Sequence, residues 1–401
     1  MDFNDAIFRD TLFSDSPAIS RLRSYLTETH NLNSKQADEV IYQVVLRLNL
    51  SLFHPITKLE LFLAEGCNLA CKYCFEKDMS GDRLMSLPVA KKALDLFFDY
   101  SQGRKELFVT YFGGEPTLNF KVMQQATEYA EIKALQRGQT INFAVTTNAV
   151  LLNQSMVGYF SKHNIKALLS IDGLEKAHDR FRLDKNGRGT FAQVLKGLKT
   201  LKKVQPWIGA RMTVMPENVE SLFDDVLGLY QLGVNQFIIA HATNIKWSSD
   251  DIQAYCDQTK RLMKWYKKER RADLKITAFD DKTDENPSFF GCQAGRNTIS
   301  ISSTGGISPC SKILALNNKK LLVKLGNLTY GLTHFYNRKA IVDCSKLREE
   351  CEVKGITEDF HGGCFATNYC ENKDVFKPSI QEYNINKAYR KIVQKACDLA
   401  G

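Results

Sequence analysis

Residues 66–75 read Gly66-Cys67-Asn68-Leu69-Ala70-Cys71-Lys72-Tyr73-Cys74-Phe75 and follow the apolar run Leu59–Ala64. A short apolar run that stops at a turn residue reads as a buried strand entering a loop. The loop carries three cysteines in the spacing Cys-x3-Cys-x2-Cys. Three thiolates on one short loop suit three corners of a cubane iron–sulfur cluster and leave the fourth iron open to a ligand. A closed structural zinc site wants four ligands, usually in Cys-x2-Cys pairs, and no fourth cysteine lies nearby. The C-terminal ends of parallel strands are also where barrel proteins place their chemistry.

Outward from this loop, strand-like and helix-like runs alternate. Strands are expected at Leu59–Ala64, Leu107–Phe112, Ile141–Thr146, Ala167–Ile171, Ile208–Val214 and Gln236–Ala240. Helices are expected at Leu87–Tyr100, Lys121–Leu135, Ser155–His163, Phe191–Val204, Val219–Gln231 and Asp250–Arg271. Such alternation implies a parallel sheet with helices outside it. Six units are too few for a closed eightfold barrel, so an open, partial (β/α)6 barrel is expected over residues 57–280. Residues 1–56 read as a short helical extension, with Ile41, Val44, Val45 and Leu48 near one face of a run that starts at Ser34. After the polar stretch near 280–290 the texture changes. Residues 281–401 are rich in glycine and cysteine, with a helix at the end, and call for a staple other than a large apolar core.

The chain has 401 residues, 11 cysteines and a formal charge of +9, with 44% apolar and 25% charged residues. This is an ordinary globular composition, suggesting two or three domains. No apolar stretch is long enough for a membrane span, and the acidic N-terminus lacks a signal-peptide core. A cytoplasmic protein is expected. In that compartment disulfides are rare, so the cysteines point to metal. The basic run near Lys260–Arg271 reads as a solvated helix face. No RNA-binding module is legible, and neither nucleic-acid nor membrane partners are expected.

Further polar motifs sit at the later strand ends. Gly113-Gly114-Glu115-Pro116 follows the second strand; its glycines permit close approach of a ligand, and Glu115 can accept from an ammonium. Asn148 follows the third strand. Ser170, Asp172 and Gly173 end the fourth, and Arg182 offers a fork for a carboxylate. Tyr111, Arg211 and His241, near other strand ends, are candidate pocket residues. Singly each signal is weak; together they describe one rim for a zwitterionic ligand beside an open iron.

The cysteine triplet, the GGEP turn and the SIDG…HDRFR stretch resemble the radical S-adenosylmethionine (radical SAM) superfamily over about 58–245. The tail, about 290–375, resembles the SPASM type of auxiliary-cluster domain. Together they look like the radical SAM/SPASM peptide maturases. The resemblance implies that Cys67, Cys71 and Cys74 hold a [4Fe–4S] cluster that binds SAM. Phe75 would lie by the adenine and Gly113, Gly114 and Glu115 by the SAM amino group. Ser170 and Arg182 would contact carboxylate and ribose, while Asn148 and Asp172 shape the pocket. Reductive cleavage of SAM would give a 5′-deoxyadenosyl radical that takes hydrogen from a ribosomally made precursor peptide, leaving a side-chain cross-link. The electron donor would be external, such as a flavodoxin or ferredoxin.

Cys292 and Cys310 match the opening of the SPASM pattern, and Gly362-Gly363-Cys364 a later part. The pattern departs where Phe360 stands for a cysteine and where six residues separate Cys344 from Cys351. With Cys370 the auxiliary candidates number six, where two fully thiolate-bound clusters would need eight, so one or two auxiliary [4Fe–4S] clusters are expected. Cys256 and Cys397 read as non-ligands. The first 57 residues look too short for the winged-helix peptide-recognition module many maturases carry, which leaves the basic helix as an alternative docking surface. Rival readings are a sulfatase-maturing enzyme, which forms formylglycine, an RNA-modifying radical enzyme, and a non-enzymatic iron–sulfur redox or scaffold protein.

Overall fold

The structure, a computed structural model, describes residues 17–77, 79, 82–269, 272–280, 292–317, 323–356 and 362–398. In chain order its elements begin with α1 (Pro17–Glu28), α2 (Ser34–Leu52), β1 (Lys58–Ala64), α3 (Leu87–Tyr100), β2 (Glu106–Gly113), α4 (Phe120–Gln136) and β3 (Thr140–Thr147). There follow α5 (Gln154–Lys162), β4 (Lys166–Ser170), α6 (Glu175–Asp179), α7 (Phe191–Lys202), β5 (Gly209–Val214), α8 (Leu222–Gln231), β6 (Gln236–His241) and α9 (Ser249–Glu269). The remainder comprises β7 (Lys275–Ile276), α10 (Thr277–Asp280), β8 (Thr298–Ile301), β9 (Gly306–Ser308), α11 (Ser311–Asn317) and β10 (Gly326–Asn327). Helices α12 (Phe335–Asp343), α13 (Ser345–Val353), α14 (Phe365–Asn372) and α15 (Ile380–Asp398) complete it. The six expected strands are β1 to β6, each end within one residue of expectation. The polar boundary expected near 280–290 lies outside the described residues, as do Phe360 and residues 1–16.

The chain divides into two compact units. The first comprises the described residues of Met1–Cys67, Asp78–Val145 and Gln293–Ser345. Its sheet has the order β10-β9-β8-β1-β2-β3. β1 lies between parallel neighbours, pairing Leu61 with Tyr111 of β2 and with Ile301 of β8. A strand so placed is covered on both faces, which is why Leu59–Ala64 is apolar but for Glu60, whose carboxylate accepts from Ser311 N at 2.7 Å. Ser86 caps α3 and Pro88 sits in its first turn, an arrangement suited to a helix start. Its apolar face (Ala90, Leu94, Phe97) is fully buried, and α3 packs on α4.

Part of the cysteine-rich tail departs from expectation. Residues 293–345 do join an apolar core: β8, β9 and β10 extend the sheet beyond β1, burying Ile299, Ile301, Ile307 and Leu325. Strands this short leave little periodic signal. Arg338 of α12, 1% exposed, ties this tail to α2. Its guanidinium donates to Asn49 Oδ1 at 2.8 Å, His54 O at 3.0 Å and Gly295 O at 3.1 Å, and lies over the Phe53 ring. Burial lowers its pKa to about 10, leaving it charged at neutral pH. Arg338→Ala leaves two buried acceptors and one partly buried acceptor unpaired and is expected to cost about 3 kcal/mol of unfolding free energy in urea denaturation; a loss below about 1 kcal/mol would contradict the assignment.

The second unit comprises the described residues of Asn68–Lys77, Thr146–Cys292 and Lys346–Gly401. Its strands run β4-β5-β6-β7, all parallel. α15 packs on α9, with Gln381 clamped between Ile245 O (2.7 Å) and Trp247 N (3.0 Å) and Tyr389 stacked on Tyr255. Cys256 is buried in α9. Among the described residues no helix is long and apolar enough to cross a membrane.

Candidate active site

The glycines of the GGEP turn are explained by what they touch in the first unit. Gly114 N donates to Ala64 O at 3.0 Å and Glu115 N to Gly66 O at 3.1 Å. A Cβ on Gly114 would stand 2.4 Å from Gly66 O, and one on Gly113 (φ +126°) 2.2 Å from Ala64 O. Neither position accepts a side chain. The turn is laid against the backbone that enters the cysteine loop. Glu115 is fully buried, and its Oε1 accepts from Thr117 N (3.0 Å) and Thr117 Oγ1 (2.6 Å). Asn119 donates to Leu63 O and Met85 O, each at 2.9 Å, fixing the end of β1.

In the second unit the rest of the cysteine loop is strapped to residues 181–183. Ala70 N donates to Leu183 O at 2.7 Å and Lys72 N to Phe181 O at 3.0 Å. Tyr73 donates its hydroxyl to Asp172 Oδ2. Arg182 grips the same carboxylate with Nε at 2.8 Å and Nη2 at 3.1 Å, and Thr213 N donates to Oδ1 at 2.9 Å. The Arg182 guanidinium also lies 5.3 Å from the Tyr73 ring centre, and its charge acts on the Cys71 thiol. Asp172 and Arg182 are 3% and 7% exposed. The fork expected to meet a ligand carboxylate thus meets Asp172, because both side chains are buried and each charge needs the other there. Burial disfavours the charge on Arg182, but Asp172, Tyr73 and Cys71 outweigh it and its pKa is raised.

His178 is fully buried, within 3.5 Å of Asp172 N and 3.2 Å of Thr190 Oγ1. Burial, with the Arg182 charge, pushes its pKa down to about 3. The unfolded imidazole titrates near 6.5, so acid favours the unfolded chain. This contribution is complete above about pH 6.5 and is lost progressively down to about 3. Stability is expected to fall by about 2 kcal/mol between pH 7 and pH 5 on account of this group. Urea midpoints for wild type and His178→Gln check it: a pH slope unchanged in the variant would assign the effect elsewhere.

Burial pushes the Cys74 thiol up to about 11; it also raises Cys71, against the pull of Arg182. The donor set fits an iron–sulfur cluster in kind: three half-buried thiols on one loop, none of them in a disulfide. They are not drawn into a ready cage, since among the described residues no group of three or more His, Cys, Asp or Glu side chains is placed to hold one metal ion. Of the auxiliary candidates, Cys310 and Cys344 belong to the first unit and Cys292, Cys351, Cys364 and Cys370 to the second. Cys344 caps α12 with a left-handed backbone and its thiol donates to Ile341 O at 2.8 Å. Cys351 is buried within α13, its thiol raised to about 11 by burial.

The remaining candidates separate by strand parity. Asn148 donates to Asn68 Oδ1 at 2.8 Å, reaching the cysteine loop, and Ser170 is the register partner of Arg211. Phe75 lies half-buried in the loop itself. Tyr111 is not a pocket residue: it is fully buried, bonds Thr127 of α4 at 2.6 Å and stacks on Phe143. His241 likewise meets Trp247, just before α9, and Tyr255 of α9, and is in register with Val214, out of phase with Arg211. With a side-chain period of two, both point towards helices. Along the basic helix α9, Lys260 pairs with Asp257 at 2.7 Å and Arg261 lies over Phe223. Tyr73 was missed as a site residue; its position inside the cysteine triplet was the available signal.

The model of the radical SAM superfamily matches residues 61–228. An uncharacterized protein of Methanocaldococcus jannaschii is 31% identical over 174 residues, 43% of this chain and 58% of that protein. A serine-type anaerobic sulfatase-maturating enzyme of Bacteroides thetaiotaomicron is 32% identical over 148 residues, 34% of each chain. The chain thus spans about a third to somewhat over half of these relatives' lengths. Among solved structures, anSMEcpe with bound AdoMet and Cp18Cys peptide superposes with a TM-score of 0.67 at 19% identity, covering 86% of this chain and 100% of that one. Streptococcus suis SuiB bound to precursor peptide SuiA gives 0.60 at 16% identity, covering 91% and 88%. The fold is therefore mixed α/β with a partial barrel-like sheet and C-terminal helices, matching the radical SAM/SPASM architecture.

Proposed function

We propose that the chain is a radical SAM oxidoreductase that modifies a residue of a polypeptide substrate. The observation that carries this reading is the cysteine triplet Cys67, Cys71 and Cys74, whose residues 70–73 are strapped within the second unit to Asp172 and residues 181–183. Cys67, Cys71 and Cys74 would hold a [4Fe–4S] cluster. When bound, cluster and SAM together supply reductive cleavage of the sulfonium and a hydrogen-abstracting radical. The protein's part is placement. Gly113, Gly114 and Glu115 would present acceptors to the SAM amino group, Phe75 and Asn148 would line the pocket, and the Asp172–Arg182 pair would hold the loop rigid. Cys292, Cys310, Cys344, Cys351, Cys364 and Cys370 would serve one or two auxiliary clusters. Residues 1–56, 57–280 and 281–401 are assigned as extension, barrel and auxiliary domain. The electron donor is taken to be a small external redox protein.

Two reactions compete. Oxidation of a Cys or Ser side chain to formylglycine is favoured over cross-linking. Several of the curated relatives are sulfatase-maturating enzymes, and anSMEcpe superposes better than SuiB. Cross-linking of a precursor peptide remains the second reading, supported by the likeness to SuiB over 91% of the chain. The deciding test is anaerobic incubation with SAM, dithionite and a synthetic peptide bearing one Cys or one Ser. An aldehyde trapped by a hydrazide reagent supports formylglycine formation. Loss of a hydrogen pair without trappable aldehyde supports cross-linking.

A further inference from the structure

A cavity of about 230 Å³ lies in the first unit beside the ends of β1 and β8. Glu65, the residue after β1, stands in its wall, two residues before Cys67. The Glu65 side chain is 4% exposed. Its Oε1 accepts from the Ser303 hydroxyl. Its Oε2 has no hydrogen-bond partner among the described residues; Arg83 Nε, 3.3 Å away, balances the charge without making such a bond. A buried acceptor left without a donor is costly, and folded proteins meet the need with a protein group, a water or a ligand. The wall hydroxyls Ser302 and Thr304 bond each other at 3.0 Å instead. Lys324, half-buried in the same wall, has an ammonium with no partner among the described residues.

This set selects the ligand by charge. A cation would meet Arg83 and Lys324. An anion would pair with Lys324 but face the Glu65 carboxylate and leave Oε2 without a donor. A neutral group that carries an N–H and a C=O serves both residues, and a polypeptide main chain offers that pair at every residue but proline. Met79, Ile307 and Leu314 give the cavity an apolar side for the accompanying side chain. A cavity of about 150 Å³ accepts benzene, so this one has room for an amino-acid residue.

We propose that this cavity binds one residue of the polypeptide substrate through its main chain, an N–H donating to Glu65 Oε2 and a C=O accepting from Lys324. The inference rests on the polypeptide-substrate reading for the source of the amide. It places the docked residue at the root of the cysteine loop.

The test uses the reconstituted full chain and two probes: N-acetylleucine N-methylamide, and the isosteric diester that carries no N–H. Saturation-transfer NMR titrations give their affinities. Wild type is expected to bind the amide about 10- to 100-fold more tightly than the diester, the worth of a hydrogen bond to a charged acceptor. Glu65→Gln removes most of that preference and leaves the diester within about twofold of wild type. Lys324→Met weakens both probes by the same factor, since both keep the carbonyl. A wild-type preference within about twofold would mean that water alone serves Oε2, and overturns the proposal. Equal loss of both probes in Glu65→Gln would mark a collapsed wall and overturns it too. The Cys- or Ser-bearing peptide is expected to displace the amide. If that peptide is modified without displacing it, the proposal falls and the reading of a polypeptide substrate stands. If the amide preference holds but no peptide is bound or modified, the amide site stands and that reading falls.

Discussion

Asp172→Ala is expected to lower the unfolding free energy by about 3–5 kcal/mol, the usual cost of stranding one half of a buried ion pair. Four donors converge on this carboxylate: two from Arg182, the Tyr73 hydroxyl and Thr213 N. Removing it leaves Arg182 buried and uncompensated and releases Tyr73 from its anchor. Asp172→Asn keeps an acceptor of similar size and should cost less. The Asp172→Ala/Arg182→Ala double variant should be less destabilised than the sum of the singles, with a coupling of about 2 kcal/mol or more. Additivity within about 0.5 kcal/mol would mean the pair does not act as one unit. Since Tyr73 belongs to the cysteine loop, Asp172→Ala should also weaken SAM binding.

The second large effect concerns iron. Cys67→Ala/Cys71→Ala/Cys74→Ala is expected to lose about four irons per chain relative to reconstituted wild type, the content of one cubane. Iron bound through the cysteines of residues 292–370 should survive, with its charge-transfer absorbance. Full retention of iron would show that the triplet is not a cluster site. Complete loss, with a cooperative fold intact, would show that the tail cysteines do not bind iron independently.

The sheet was largely legible in the sequence because its parallel strands each bury a row of apolar side chains. Such strands read as short apolar runs punctuated by Gly, Asn or Asp, and β1 to β6 fall where those runs fall. The cysteine loop and the GGEP turn were legible as motifs. Partnerships were harder. Tyr73 and Asp172 are 99 residues apart, and nothing in either segment marks them as neighbours. Arg182 was read as a ligand fork because its own neighbourhood does not say that Asp172 is close enough to claim it. Tyr111 and His241 were misjudged for an avoidable reason: being near a strand end does not decide which face a side chain takes. Counting by two from Arg211 through its register partner Ile238 places His241 on the other side. The short strands β8 to β10 carry too few residues for any period to show, so the tail's share in the core emerged only from the fold.

The function of this protein turns on the chemistry of the cysteine loop. The most direct measurement is 5′-deoxyadenosine formed when anaerobically reconstituted wild-type protein is given SAM and dithionite. The account predicts product from wild type and none from the triple cysteine variant. No product from wild-type protein with verified full iron loading would contradict it.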